Sequence, residues 1–308
     1  MKHSIKVTLL LLALFLATQL IGLFVVNFYS PQIISQADLN GTITNITTYN
    51  LPYGMDPPQG IKPETTLYSI IFALVFAVIL MLILMKYHAE IFLRIWFFIV
   101  VALALGITFN AFILSVSSIA YSSIIAIIVA LFFAYLKIFK RNILVHNATE
   151  LLIYPGIAVI FVPLLNLWTI VLLLVLISIY DIYAVWHAGF MQKMAHYQIK
   201  TLRLFSGFFV PYLGAREREL LKKAKGKAKS KKVKVNVAIL GGGDVVFPII
   251  MAGVVFRALG LIPALLIVLG ETLALAGLFY ASKKGKFYPA MPFITAGCFV
   301  GLVIAYLI

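Results

Sequence analysis

Four acidic residues stand inside long apolar runs of this 308-residue chain: Glu150, Asp181, Asp244 and Glu271. A charged carboxylate at the centre of a bilayer costs about 2.5–3.5 kcal/mol on insertion scales, so each needs a reason to be there. Asp181 lies about seven residues, roughly 10 Å, before the end of its run. Asp244 lies ten residues after Lys234, roughly 15 Å into the next run. Two consecutive antiparallel helices therefore bring these carboxyl groups to similar depth from the same side. Facing carboxyl groups in a low dielectric cannot both ionise cheaply, and they hold one proton between them. One can then take a proton from water while the other protonates a carbonyl oxygen or a leaving group. Paired intramembrane aspartates also serve proton-coupled transport, and spacing alone does not choose. Glu271 has no partner at matched depth and reads as a structural hydrogen-bonding group. Glu150, with His146 one turn earlier, reads as a polar patch near an interface.

The elements that must position these groups follow from composition. The chain is 63% hydrophobic and 11% charged, with a mean hydropathy of +1.07. A soluble domain is about 45–50% apolar and about 25% charged, so much of this surface has to face lipid. Runs long enough to span occur at 7–29, 67–85, 91–112, 116–138, 143–164, 165–188, 235–256, 258–282 and 289–308. The fold class is therefore an all-α integral membrane protein with about nine transmembrane helices. The fifth is the most polar, with His146, Asn147 and Glu150 in its first half, and only Pro163 and Asn166 separate it from the sixth. The first run is too long for a signal peptide and has no A-x-A site, so it reads as a retained helix.

Of 25 basic residues, only Lys62 and Arg257 fall on one side of this arrangement. The positive-inside rule then makes the amino terminus cytoplasmic and the carboxyl terminus external. The excess of +15 is explained by this asymmetry rather than by nucleic acid, for which no reading motif is present. Between helices 1 and 2 lies a long external connection with two glycosylation sequons, Asn40-Gly41-Thr42 and Asn45-Ile46-Thr47. Three parts result: six helices over 1–189, a cytoplasmic connection over 190–234, and three helices over 235–308. The connection opens with an amphipathic stretch over 190–213 that suits an interfacial helix. It ends in a lysine-rich run over 222–234 that reads as a stop-transfer cluster or headgroup tether.

Local sequence decides between the two uses of a carboxyl pair. Tyr180-Asp181 stands in helix 6, Gly241-Gly242-Gly243-Asp244 in helix 7, and Pro289-Ala290-Met291 opens helix 9. In these three motifs, in order and over essentially the full length, the chain resembles the presenilin and signal peptide peptidase family of intramembrane aspartyl proteases. The family pattern has Leu where Met291 stands, a swap of similar volume. Pro263-Ala264-Leu265 has the right letters in the wrong helix. The resemblance implies Asp181 and Asp244 as catalytic residues. It implies Tyr180, Gly241, Gly243, Pro289, Ala290 and Met291 as groups that bind substrate or shape the site. The glycines weaken the helix beside Asp244, and the prolines keep the start of helix 9 irregular, free to pair with an extended substrate strand.

Other intramembrane chemistries lack their residues. There is no His-Glu-x-x-His zinc motif, and no serine sits in a nucleophile elbow with a histidine partner. No cofactor and no metal are called for. The expected function is an intramembrane aspartic endopeptidase. The rival is a proton-coupled transporter or cation channel using the same aspartates, which would favour an internal repeat, and none is visible. The expected partners are transmembrane segments of substrate proteins and the lipid bilayer, with no nucleic acid. Association as a homo-oligomer is left open, and the expected location is the cell membrane, as a multi-pass protein.

Overall fold

A computed structural model describes residues 5–37, 43–57, 62–117, 119, 121–140, 142–188, 197, 205–212, 236–282 and 288–308. Among them are nine α-helices: α1 Ile5–Phe28, α2 Pro63–Lys86, α3 Glu90–Val116, α4 Ser122–Tyr135, α5 Ile143–Phe161, α6 Leu167–Tyr183, α7 Gly243–Leu259, α8 Leu261–Ala281 and α9 Met291–Leu307. The chain is thus an all-α, multi-pass membrane protein. Seven of the helices are at least 18 residues long and apolar enough to cross a bilayer once the turns that extend them are counted. Two others, α7 and α9, have 17 residues each.

Local chemistry sets the boundaries. Asn142 caps α5 by accepting from the Leu144 amide at 2.9 Å. At the close junction after α5, Pro163 stands in a 3₁₀ turn. Asn166 and Thr169 then cap α6 reciprocally: each side chain accepts from the other's backbone N–H at 2.8 Å. Pro163 and Asn166 thus separate the fifth helix from the sixth, as the sequence indicates.

Helices α1, α5 and α7 pack against one another at the centre, with Phe15, Tyr154 and Ile249 among the fully buried side chains. α8 and α9 approach until Gly270 and Gly297 leave no space for a Cβ on either side. Small residues at such a contact let backbones close where no hydrophobic effect drives association. By contrast α2 buries only Leu67 and Ile70.

Two findings correct the expectation of helix. The stretch 235–256 does not start as a helix: Asn236–Gly241 is a strand, β4, and α7 begins only at Gly243. It pairs antiparallel with β3, Gly207–Tyr212, which occupies the end of the supposed interfacial helix. In β3 Phe208 and Val210 are buried, and Val237 and Ile239 of β4 are β-branched, a composition that favours a pleated surface. An average of hydropathy cannot tell such a run from a helix. The lysine-rich run and most of 190–213 lie outside the described residues, as does the first sequon. The connection between α1 and α2 also contains a hairpin of β1, Gln32–Ala37, and β2, Ile43–Thr48, which carries the second sequon.

Candidate active site

Asp181 sits near the carboxyl end of α6, 5% exposed. The helix runs on from α6 through a wider turn over Ala184–Ala188, so this carboxyl group is buried within the span and needs polar partners there. They come from α9. The Met291 amide donates to Asp181 Oδ2 at 3.1 Å, and the Ala290 backbone also hydrogen-bonds this carboxyl group. Pro289, itself buried, cannot continue the helix backwards, so these amides stay free for the aspartate. The same two helices are tied one turn further along by Ser178 Oγ and Thr295 Oγ1, 2.8 Å apart. Pro289-Ala290-Met291 is thus an anion-holding helix start aimed at Asp181.

Asp244 has a different setting. It lies in the first turn of α7, where unpaired N–H groups and the helix dipole favour negative charge. It is therefore not the mid-helix residue that the apolar run implies. Its carboxyl group takes a backbone hydrogen bond from Gly241, at the end of β4. α6 packs on α7, and Asp181 is the neighbouring charge that acts on Asp244. The strand shortens helix 7, so Asp244 stands at the start of its helix while Asp181 stands in the last turns of α6.

The glycine run has unequal members. A Cβ on Gly241 would stand 3.1 Å from Asp244 Oδ2, and one on Gly243 would meet nothing closer than 3.8 Å. Gly242 is the crowded one: its Cβ would lie 2.7 Å from both Ser206 Oγ and the Tyr154 hydroxyl. Its amide donates to Ser206 O at 3.2 Å, and its carbonyl accepts from Val245 and Val246 to start α7. Tyr180 is exposed beside Asp181 on α6.

Sequence reasoning named Gly242 only as one of the run beside Asp244 and did not single out Tyr154, Ser206 or Gln19. Gln19 of α1, fully buried, donates through Nε2 to Val245 O at 3.2 Å and so touches the first turn of α7. Glu150 is 1% exposed and ion-paired with Lys137, so the polar patch it forms with His146 is buried inside the protein. The missed signal is spacing: His146, Glu150 and Tyr154 recur every four residues and mark one face of α5. Glu271 does find a partner, the Cys298 thiol, at 3.5 Å.

A helical membrane protein with two buried carboxyl groups on packed helices, each met by backbone N–H groups, has the makings of an acid–base hydrolase. The profile of the family described as signal-peptide peptidase, presenilin aspartyl protease matches residues 44–308. This chain belongs to that family and is an intramembrane aspartic-type endopeptidase. No curated protein matches it by sequence. Its fold is similar to that of a presenilin family intramembrane aspartate protease solved in a C222 crystal form. That likeness has a TM-score of 0.61 at 18% identity, covering 97% of this chain and 98% of the other. A P2 crystal form described in the same words gives 0.59 at 17% identity over 96% of each chain.

Proposed function

We propose that Asp181 and Asp244 are the catalytic pair, and that they hydrolyse peptide bonds within transmembrane segments of other membrane proteins. The observation that carries this is their setting on two packed helices, Asp181 under the amides of α9 and Asp244 at the start of α7 with Asp181 as its neighbouring charge. One ionised carboxyl group takes a proton from water as the water oxygen bonds to the scissile carbonyl carbon. The neutral partner gives its proton to the carbonyl oxygen. Collapse of the resulting gem-diol breaks the C–N bond as a proton passes to the nitrogen.

A substrate helix hides its amides in its own hydrogen bonds, so it must first open. β4 belongs to a two-stranded sheet, and its partner strand is already held elsewhere. Asn147 of α5 donates to Phe209 O and accepts from Phe209 N, both at 3.0 Å, and so occupies the outer edge of β3. Among the described residues that leaves the edge of β4 for an extended substrate segment running past Asp244 towards Pro289. Tyr180, Gly241 and Gly243 border this path. By charge count the amino terminus is cytoplasmic, which implies substrates whose amino termini are external.

The test is single-turnover cleavage of a labelled transmembrane peptide by the purified protein and by Asp181→Asn, Asp244→Asn and the double variant. Each single change should nearly abolish cleavage, and the double should be little worse, because groups acting as a unit are not additive. Wild-type activity should follow a bell in pH. It falls at low pH, where no ionised carboxyl remains to act as base, and at high pH, where no neutral one remains as acid. Substantial proteolysis by either single variant would remove the two-aspartate mechanism.

A further inference from the structure

The buried polar face of α5 has no part in the chemistry above, yet it ends at the turn that delivers Asp244. It begins where α4 runs into a turn of wider helix that carries Lys137, 8% exposed. Lys137 is ion-paired with Glu150, and its ammonium stands 3.4 Å from His146 Nδ1. The other ring nitrogen, Nε2, is 2.8 Å from the Gly207 carbonyl. A carbonyl only accepts, so Nε2 carries the hydrogen and Nδ1 is left to accept from Lys137. One turn further, Tyr154 is 2% exposed, with its ring edge-on to Phe208 of β3 at 6.1 Å. Its hydroxyl faces Glu150 on one side and Ser206 on the other. Neither the hydroxyl nor Glu150 Oε2 has a close hydrogen-bond partner among the described residues. The hydroxyl also lies directly over Gly242.

A buried ion pair is a poor way to stabilise a membrane protein, since apolar residues of the same volume do as well or better. Its recognised use is to fix one arrangement among several. The arrangement within reach here is that of the Gly242 turn. Ser206 O holds its amide, the first N–H groups of α7 hold its carbonyl, and Tyr154 covers its Cα. Moving this turn moves Asp244, two residues on, relative to Asp181.

We propose that Tyr154, backed by the Glu150–Lys137 ion pair, is a positioning residue that sets the Gly242 turn and with it the direction of the Asp244 carboxyl group. It acts through the backbone of that turn. Ser206, facing the hydroxyl from the hairpin side, completes the support. The inference rests on the two-aspartate reading, and the experiment separates the two.

The measurement is steady-state cleavage of a transmembrane peptide by the full-length protein in detergent, with melting temperature and affinity for a hydroxyl-bearing transition-state mimic. Tyr154→Phe keeps the ring against Phe208 and removes only the hydroxyl. Its kcat should fall about ten- to hundredfold, as expected when reacting groups are misplaced by about 1 Å. KM and melting temperature should stay as in the wild type, while affinity for the mimic falls by the same factor as kcat. Glu150→Gln combined with Tyr154→Phe should be no worse than Tyr154→Phe alone, since the two act as one unit. Should Tyr154→Phe not fold, Ser206→Ala removes the facing hydroxyl and should give the same split between kcat and KM. A kcat within about twofold of wild type, or a loss of activity that only tracks loss of folded protein, overturns the proposal. If Asp244→Asn is inactive while Tyr154→Phe is normal, only the positioning role fails. If Asp244→Asn cleaves, the two-aspartate reading fails first.

Discussion

Gly242 has an ordinary helical backbone, φ −65° and ψ −32°. Torsion therefore does not require glycine there, and space does. An added methyl group would press on two hydroxyl groups, whereas at Gly243 the nearest atom is a Phe247 ring carbon in ordinary contact. Gly242→Ala should accordingly lower stability by about 1–3 kcal/mol, the usual cost of overpacking. Gly243→Ala should leave the melting temperature close to that of the wild type. Thermal melts of both variants in one detergent check this, and equal losses would mean that the crowding over Gly242 relaxes freely. The motif letters alone point to Gly241 and Gly243. Only the folded chain distinguishes the middle residue, because its neighbours Tyr154 and Ser206 are remote in sequence.

Among the elements, α9 owes its function to where it starts. Pro289 lacks an N–H and ends the helix backwards, which leaves the Ala290 and Met291 amides for Asp181. Pro289→Ala should let the helix wind back a turn and draw these amides away. We expect cleavage to drop about tenfold with little change in expression or melting temperature. A loss of activity matched by a loss of folded protein would make the motif structural. Most helices are legible in sequence because lipid demands long apolar runs, and Asn166 with Pro163 marks even the close junction of α5 and α6. β3 and β4 are not legible in this way, because Phe208, Val210, Val237 and Ile239 satisfy a hydropathy window as well as any helix does. The row along α5 is hidden for the opposite reason. His146, Glu150 and Tyr154 lower the average of their helix, and an average says nothing of which face they share.

For the whole molecule, sequence charge makes the sharpest statement. With every basic residue but Lys62 and Arg257 on one side, a tag inserted after Lys227 should be reachable only from the cytoplasm. Labelling from outside intact cells would reverse the orientation and the class of substrates derived from it. The lengths of the helices carry a different consequence. At 17 residues, α7 and α9 each rise about 26 Å, against about 30 Å for a typical hydrocarbon core. They are also the helices that begin at Asp244 and at the amides over Asp181. α7 is packed at the centre of the bundle, so α9 is the one of the two that offers a short wall to lipid. A bilayer meeting it is drawn thinner there, at a cost of fractions of a kcal/mol per Å of mismatch. Headgroups and their water are thereby brought down towards the carboxyl pair, so the membrane's own elasticity helps to supply the reagent that hydrolysis consumes.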